Sequence, residues 1–146
     1  MRIMGLDVGT KTIGVAVSDE LGLTAQGVGT IRRSTAREDL VELKRIAAEQ
    51  DVHRIVVGLP LNMSGSEGPA ADAARKLGER IAHVLGLPVE YWDERLTTVS
   101  AERVLLEANV SRQKRRAVID QVAASIILQS YLDAHPRRRD QRDAEP

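Results

Sequence analysis

Two apolar runs stand almost back to back at the start of the chain, Ile3-Met4-Gly5-Leu6-Asp7-Val8 and Ile13-Gly14-Val15-Ala16-Val17-Ser18, with only Gly9-Thr10-Lys11-Thr12 between them. So short a link joins neighbouring strands antiparallel, because a parallel return needs a crossover of about a dozen residues or more. The chain therefore opens with a hairpin, which a simple doubly wound sheet does not. Further on, Arg54-Ile55-Val56-Val57-Gly58-Leu59 is a continuous apolar run. That is the pattern of a strand buried on both faces and parallel to its neighbours. A sheet that begins antiparallel and ends parallel is a mixed sheet.

The segments between and after these strands read as helices. Thr35-Ala36-Arg37-Glu38 has the form of a capping box, and Leu40, Leu43, Ile46 and Ala47 recur at helical spacing to about Gln50. A weak third strand is expected near Val28 to Ile31, before that helix. A Gly/Ser/Pro loop, residues 60–69, ends the Arg54–Leu59 strand. Ala70 to Leu85 predicts a second helix stopped by Gly86 and Pro88, followed by a short strand Val89–Trp92. Thr97 or Thr98 can cap a third helix to about Ala108. Ile119, Val122, Ala123, Ile126, Ile127 and Leu132 describe a fourth, ending near His135-Pro136. The order β-β-β-α-β-α-β-α-α places the chain in the α/β class, with helices on both faces of a mixed sheet. Residues 1–135 form one domain, and the Arg-rich stretch 136–146 is expected to be a disordered tail.

Composition narrows the function. The 146 residues include no cysteine, which removes disulfides, thiolate metal sites and thiol nucleophiles. Only three aromatic residues occur, Tyr91, Trp92 and Tyr131, too few for a base-stacking platform. His53, His83 and His135 have no zinc-ligand spacing, and no serine sits in a nucleophile elbow. No apolar stretch reaches the ~18–20 residues of a membrane span, and the N-terminus enters a strand without a signal-peptide core, so a cytoplasmic location and no membrane partner are expected. The 21 cations and 21 acids cancel overall, but not evenly. Residues 1–110 hold 13 Lys/Arg against 16 Asp/Glu, and residues 111–146 hold 8 against 5.

Three acids stand where a bland sequence would not put them. Asp7 is the single charge in its apolar run and shares a strand face with Ile3 and Gly5. Asp93-Glu94-Arg95 falls where the last strand ends, at the edge where open α/β sheets bind ligands, and either acid of the pair can be the second. Asp120 lies early in the last helix at the border of its apolar stripe. Each has an ordinary alternative: a turn-starting Asp, a solvated loop acid, a carboxylate at a helix N-terminus. Together, hairpin strand, late strand end and final helix can converge on one edge of such a sheet. Carboxylates crowded within about 4 Å repel by on the order of 4 kcal/mol per pair at an effective dielectric near 20, so a divalent cation, Mg²⁺ or Mn²⁺, is expected among them. Such a site suits metal-assisted phosphodiester hydrolysis. Arg112, Lys114, Arg115 and Arg116, just before Asp120, are candidates for a nucleic-acid backbone. Lys11, in the Gly-Thr-Lys turn, is another.

Four strings carry a resemblance. They are Gly5-Leu6-Asp7-Val8-Gly9-Thr10-Lys11-Thr12-Ile13-Gly14 running on to Ser18, Val56-Val57-Gly58-Leu59-Pro60-Leu61-Asn62-Met63-Ser64-Gly65, Asp93-Glu94-Arg95-Leu96-Thr97-Thr98, and Ile119-Asp120-Gln121-Val122-Ala123-Ala124 through Tyr131. In this order they closely resemble the YqgF/RuvX family of Holliday junction resolvase-like proteins, also described as pre-16S ribosomal RNA nucleases, over about residues 2 to 133. The resemblance implies an RNase H-like fold around a five-stranded mixed sheet and Mg²⁺- or Mn²⁺-dependent endonuclease chemistry. It puts Asp7, Glu94 and Asp120 on the family's acidic positions, with Asp93 as the alternative second ligand. Arg95 is then expected to contact phosphate, and the Leu59–Gly65 loop, with Asn62, to line the substrate groove. The expected partner is nucleic acid, pre-rRNA or branched DNA, with a homodimer left open. The reading of another class is a catalytically silent nucleic-acid-binding factor in ribosome assembly.

Overall fold

The hairpin forms as expected: β1 (Arg2–Val8) pairs antiparallel with β2 (Thr12–Ser18), and β2 pairs antiparallel with β3 (Ala25–Arg32). The computed structural model describes residues 1–109 and 112–136, excepting the side chains of 109–117. From β3 the chain enters α1 (Ala36–Glu49) and returns as β4 (Val52–Leu59), parallel to β1. Next come α2 (Pro69–Leu85) and β5 (Val89–Asp93), which pairs parallel with β4. A 3₁₀ turn at Glu94–Leu96, not foreseen, leads to α3 (Val99–Asn109) and α4 (Arg112–Ala134). The strand order is β3-β2-β1-β4-β5, a mixed five-stranded sheet, as the sequence predicts.

The strand faces divide the core in two. Met4, Leu6, Ile13, Val15, Val17, Ile55 and Val57 point to one side, where Leu40, Leu43 and Ala47 of α1 and Ala71, Ala74, Leu77 and Ile81 of α2 cover them. Ile3, Ala16 and Val56 point to the other side and meet Ala123, Ala124, Ile127, Leu128, Tyr131 and Leu132 of α4, with Val99 of α3. The two faces differ in relief. On the α4 side several strand positions are glycine, and a Cβ on Gly5 would stand 2.7 Å from Leu128 Cβ, while one on Gly14 would stand 1.9 Å from the Asp120 carbonyl oxygen. No native Cβ contact is that close, so α4 lies against the bare backbone of β1 and β2. This approach decides where Asp120 falls.

Gly86 closes α2 with φ +67°, the left-handed cap predicted for it. The capping box at α1 is half formed: the Thr35 hydroxyl accepts from the Glu38 amide at 3.2 Å, but the Glu38 carboxylate accepts from the Ser34 hydroxyl at 2.5 Å. The basic segment expected to precede the last helix is its beginning, since α4 starts at Arg112. The side chains of Arg112, Lys114, Arg115 and Arg116, and the tail expected over 136–146 beyond its first residue, lie outside the described residues. Among the described residues no helix is long and apolar enough to cross a membrane.

Candidate active site

Asp7 sits at the end of β1 on the α4 face, opposite Gly14 in the β1–β2 register. Because Gly14 lets α4 touch the sheet, Asp120 arrives beside Asp7, and both are buried, 5% and 7% exposed. Asp120 accepts a hydrogen bond from the Thr12 hydroxyl, which the hairpin turn carries. The turn is itself braced: the Arg33 guanidinium donates to the Gly9 carbonyl at 2.9 Å, and the Lys11 carbonyl accepts from the Arg33 amide at 2.8 Å. The buried Asp39 of α1 pairs with Arg33 at 3.4 Å and accepts from the Ser34 amide at 3.0 Å.

Glu94 enters from the far side of β4. In the β4–β5 register Leu59 stands opposite Asp93, so Glu94 is the first residue past the paired strands. Its side chain passes over Gly58, where a Cβ would come 3.4 Å from Glu94 Cγ. Burial, then the neighbouring Asp7 charge, push the Glu94 carboxyl up to about 7, against the pull of Arg103. Burial also raises the Asp7 carboxyl; Arg103 opposes that rise and Asp120 adds to it.

Arg103, on α3, is the residue that sequence reasoning missed. Its Nη2 donates to both Asp7 oxygens, at 2.9 and 2.8 Å, and its Nη1 faces Asp120 Oδ1 at 3.5 Å. Burial alone would lower its pKa, but the carboxylates of Asp7, Glu94 and Asp120 outweigh that and hold it protonated. The signal was present: Arg103 lies four residues after Val99, the buried residue of α3, so it shares the inward face of that helix. The expected divalent cation is therefore not the sole group that can make the acids compatible. A guanidinium already offsets part of their repulsion, and among the described residues no three acid or histidine side chains converge closely enough, as they stand, to hold a metal ion. The donor set still fits one. Its donors are all carboxylate oxygens, suited to a hard cation.

The remaining candidates lie around this centre. Asp93 does not face it: its carboxylate takes Arg95 Nη2 at 2.7 Å and the Arg95 amide at 2.9 Å, and this contact lowers its pKa. Arg95 also donates to the Met63 carbonyl at 3.3 Å, tying the strand end to the 60–68 loop. Within that loop the Asn62 side chain donates to the Ser66 hydroxyl at 2.9 Å, and Gly65, at φ +89°, turns the chain against Arg95. Lys11 is exposed on the hairpin turn. Trp92 and Tyr91 are occupied: Trp92 packs edge-on to Tyr131 and donates to the Ser130 hydroxyl, and Tyr91 lies over Gly78 and under Arg75.

The chain is similar to several known proteins. A "Putative pre-16S rRNA nuclease" of Myxococcus xanthus is 64% identical over 135 residues, covering 92% of this chain and 89% of that protein. One of the same name from Symbiobacterium thermophilum is 61% identical, covering 94% and 96%. Among solved structures, RuvC of T. thermophilus in complex with a Holliday junction substrate superposes with a TM-score of 0.57 at 13% identity, covering 92% of this chain and 96% of that one, which establishes the shared RNase H-like fold. The RuvX family model, described as Holliday junction resolvase, matches residues 1–134. By this match and these identities the chain belongs to the RuvX family.

Proposed function

We propose that this chain is a divalent-metal-dependent endonuclease that cuts phosphodiester bonds of structured nucleic acid, with the 5′ end of pre-16S rRNA as its substrate. The observation that carries this reading is the placement of Asp7 of β1, Asp120 of α4 and Glu94 just past β5 around the one Arg103 guanidinium at a sheet edge. The names of its relatives support the ribosomal substrate. Asp7, Asp120 and Glu94 would hold Mg²⁺ or Mn²⁺, which, when bound, turns water into a nucleophile and stabilises the charge developing on the phosphate. Asp7 and Asp120 bring their charges buried and pre-positioned. Glu94, its carboxyl pushed up to about 7, would have to be ionised to serve as a ligand. Arg95, anchored by Asp93 and the Met63 carbonyl, presents its remaining N–H groups to a phosphate. Asn62 and Lys11 would add contacts to the substrate, and the sequence run Arg112, Lys114, Arg115 and Arg116 supplies cations for the nucleic-acid backbone. The setting is the cytoplasm, without a membrane partner, and a homodimer would place two such sites on one substrate.

A second reading, junction resolution, is favoured by the description of the family model. Against it, Trp92, the only tryptophan, is packed against Tyr131 and is not offered as a wedge for branched DNA. One comparison decides: cleavage of a precursor 16S rRNA and of a four-way junction, each with Mg²⁺ and with Mn²⁺, by wild type and by Asp7→Asn. The proposal expects metal-dependent cutting of the RNA that Asp7→Asn abolishes while its melting stays cooperative. Salt-dependent RNA binding with no turnover under either metal would replace it with a silent assembly factor.

A further inference from the structure

We propose that the Arg103 guanidinium is the resident counter-ion of the acidic site and is exchanged for the divalent cation when the site loads. The inference rests on the metal-dependent reading above and adds to it a charge-exchange step within this chain. One nitrogen, Nη2, lies 2.8 and 2.9 Å from the two oxygens of Asp7, so it sits across the edge that Asp7 would use to ligate a metal. Nη1 of the same guanidinium faces Asp120 Oδ1 at 3.5 Å, and the other Asp120 oxygen accepts from Thr12. A hard cation held by Asp7 and Asp120 would take the same carboxylate oxygens that the guanidinium now occupies, so the two would compete for them. Two positive groups competing for the same lone pairs also repel each other, which makes binding of one oppose binding of the other.

Arg103 can leave because little fixes the helix that carries it. Among the described side chains of α3 only Val99 is buried, while Val104 and Leu105 are exposed, and the helix packs principally on α4. The Arg103 side chain is 35% exposed, so its way toward solvent is open. In the metal-free protein the guanidinium keeps Asp7 and Asp120 from driving the sheet end and α4 apart. In the loaded protein that task would pass to the cation, and Arg103 would be released toward solvent.

The test uses the full metal-free chain and Mn²⁺ alone as probe, with affinity read by calorimetry. Arg103→Gln is expected to bind Mn²⁺ roughly tenfold or more tightly than wild type, the size typical of coupling between two competing sites, while Arg103→Lys, which keeps the charge, stays close to wild type. Should Arg103→Gln fold poorly, the wild type answers by itself: the Arg103 Nε–H resonance is expected to move, and to exchange faster with water, as Mg²⁺ saturates the protein. The inference alone falls if wild type binds Mn²⁺, Asp7→Asn does not, and Arg103→Gln binds no more tightly. It falls equally if saturating Mg²⁺ leaves the Arg103 resonance unchanged. If neither wild type nor Arg103→Gln binds Mn²⁺, the metal-dependent reading is overturned and this inference goes with it.

Discussion

Glu94→Gln should make the metal-free protein more stable above neutral pH and leave it unchanged in acid. The Glu94 carboxyl titrates at about 7 in the fold against 4.5 for a free side chain, because burial and the adjacent Asp7 disfavour its charge. A folded-state pKa above the unfolded value means that the native protein binds this proton more tightly than the unfolded chain. Stability therefore falls as pH rises from 4.5 through 7. At about 1.36 kcal/mol per pKa unit, the loss amounts to about 3 kcal/mol above pH 7. Glutamine has no proton to lose and escapes it. For a chain of this length about 3 kcal/mol corresponds to roughly 6–12 °C in Tm. Melting wild type and Glu94→Gln in chelator at several pH values between 4 and 8 should give curves that coincide at the acid end and separate by that amount at pH 8. Excess Mg²⁺ should then close the gap by stabilising the wild type alone. A difference that stays constant across the range would refute the reasoning, since a packing change does not titrate.

Other changes probe the framework that sets the site. Gly14→Ala puts a Cβ where the Asp120 carbonyl stands, and backbone cannot swing aside; a loss of about 1–3 kcal/mol and of metal affinity is expected, measured by urea melts and Mn²⁺ titration. Leu128→Ala, beneath α4 against Gly5, should lose about 2–5 kcal/mol of stability, and no loss would mean that the helix does not pack on β1 as described. Arg33→Ala frees the Gly9 carbonyl and strands the buried Asp39; it should lower kcat of RNA cleavage far more than it raises KM, because the turn positions Thr12 and Asp120 and does not touch substrate.

Much of the site was legible before the fold was known. Asp7 stood out as a charge inside an apolar strand. Glu94 was placed by the end of a strand, and Asp120 by helical spacing, all of them local signals. Asp93 could not be separated from Glu94 in the same way, because adjacent residues at a strand end share every local property. The 3₁₀ turn and the Arg95 contact separate them, giving one carboxylate to a guanidinium and the other to the interior. Arg103 carried a weaker sign, an inward helical position, and nothing along the chain names its partners.

What the sequence by itself determined is therefore the set of elements, their class and the presence of carboxylates at their ends, since hydrophobic periods of two and 3.6 residues act over a few neighbours. Only the tertiary structure decided which groups meet. Thr12 reaches Asp120 across 108 positions of chain and Arg103 reaches Asp7 across 96. Both meetings follow from how closely α4 approaches a glycine-lined sheet face and how α3 is carried beside it. Such distances depend on the packing of whole layers, which no local pattern encodes.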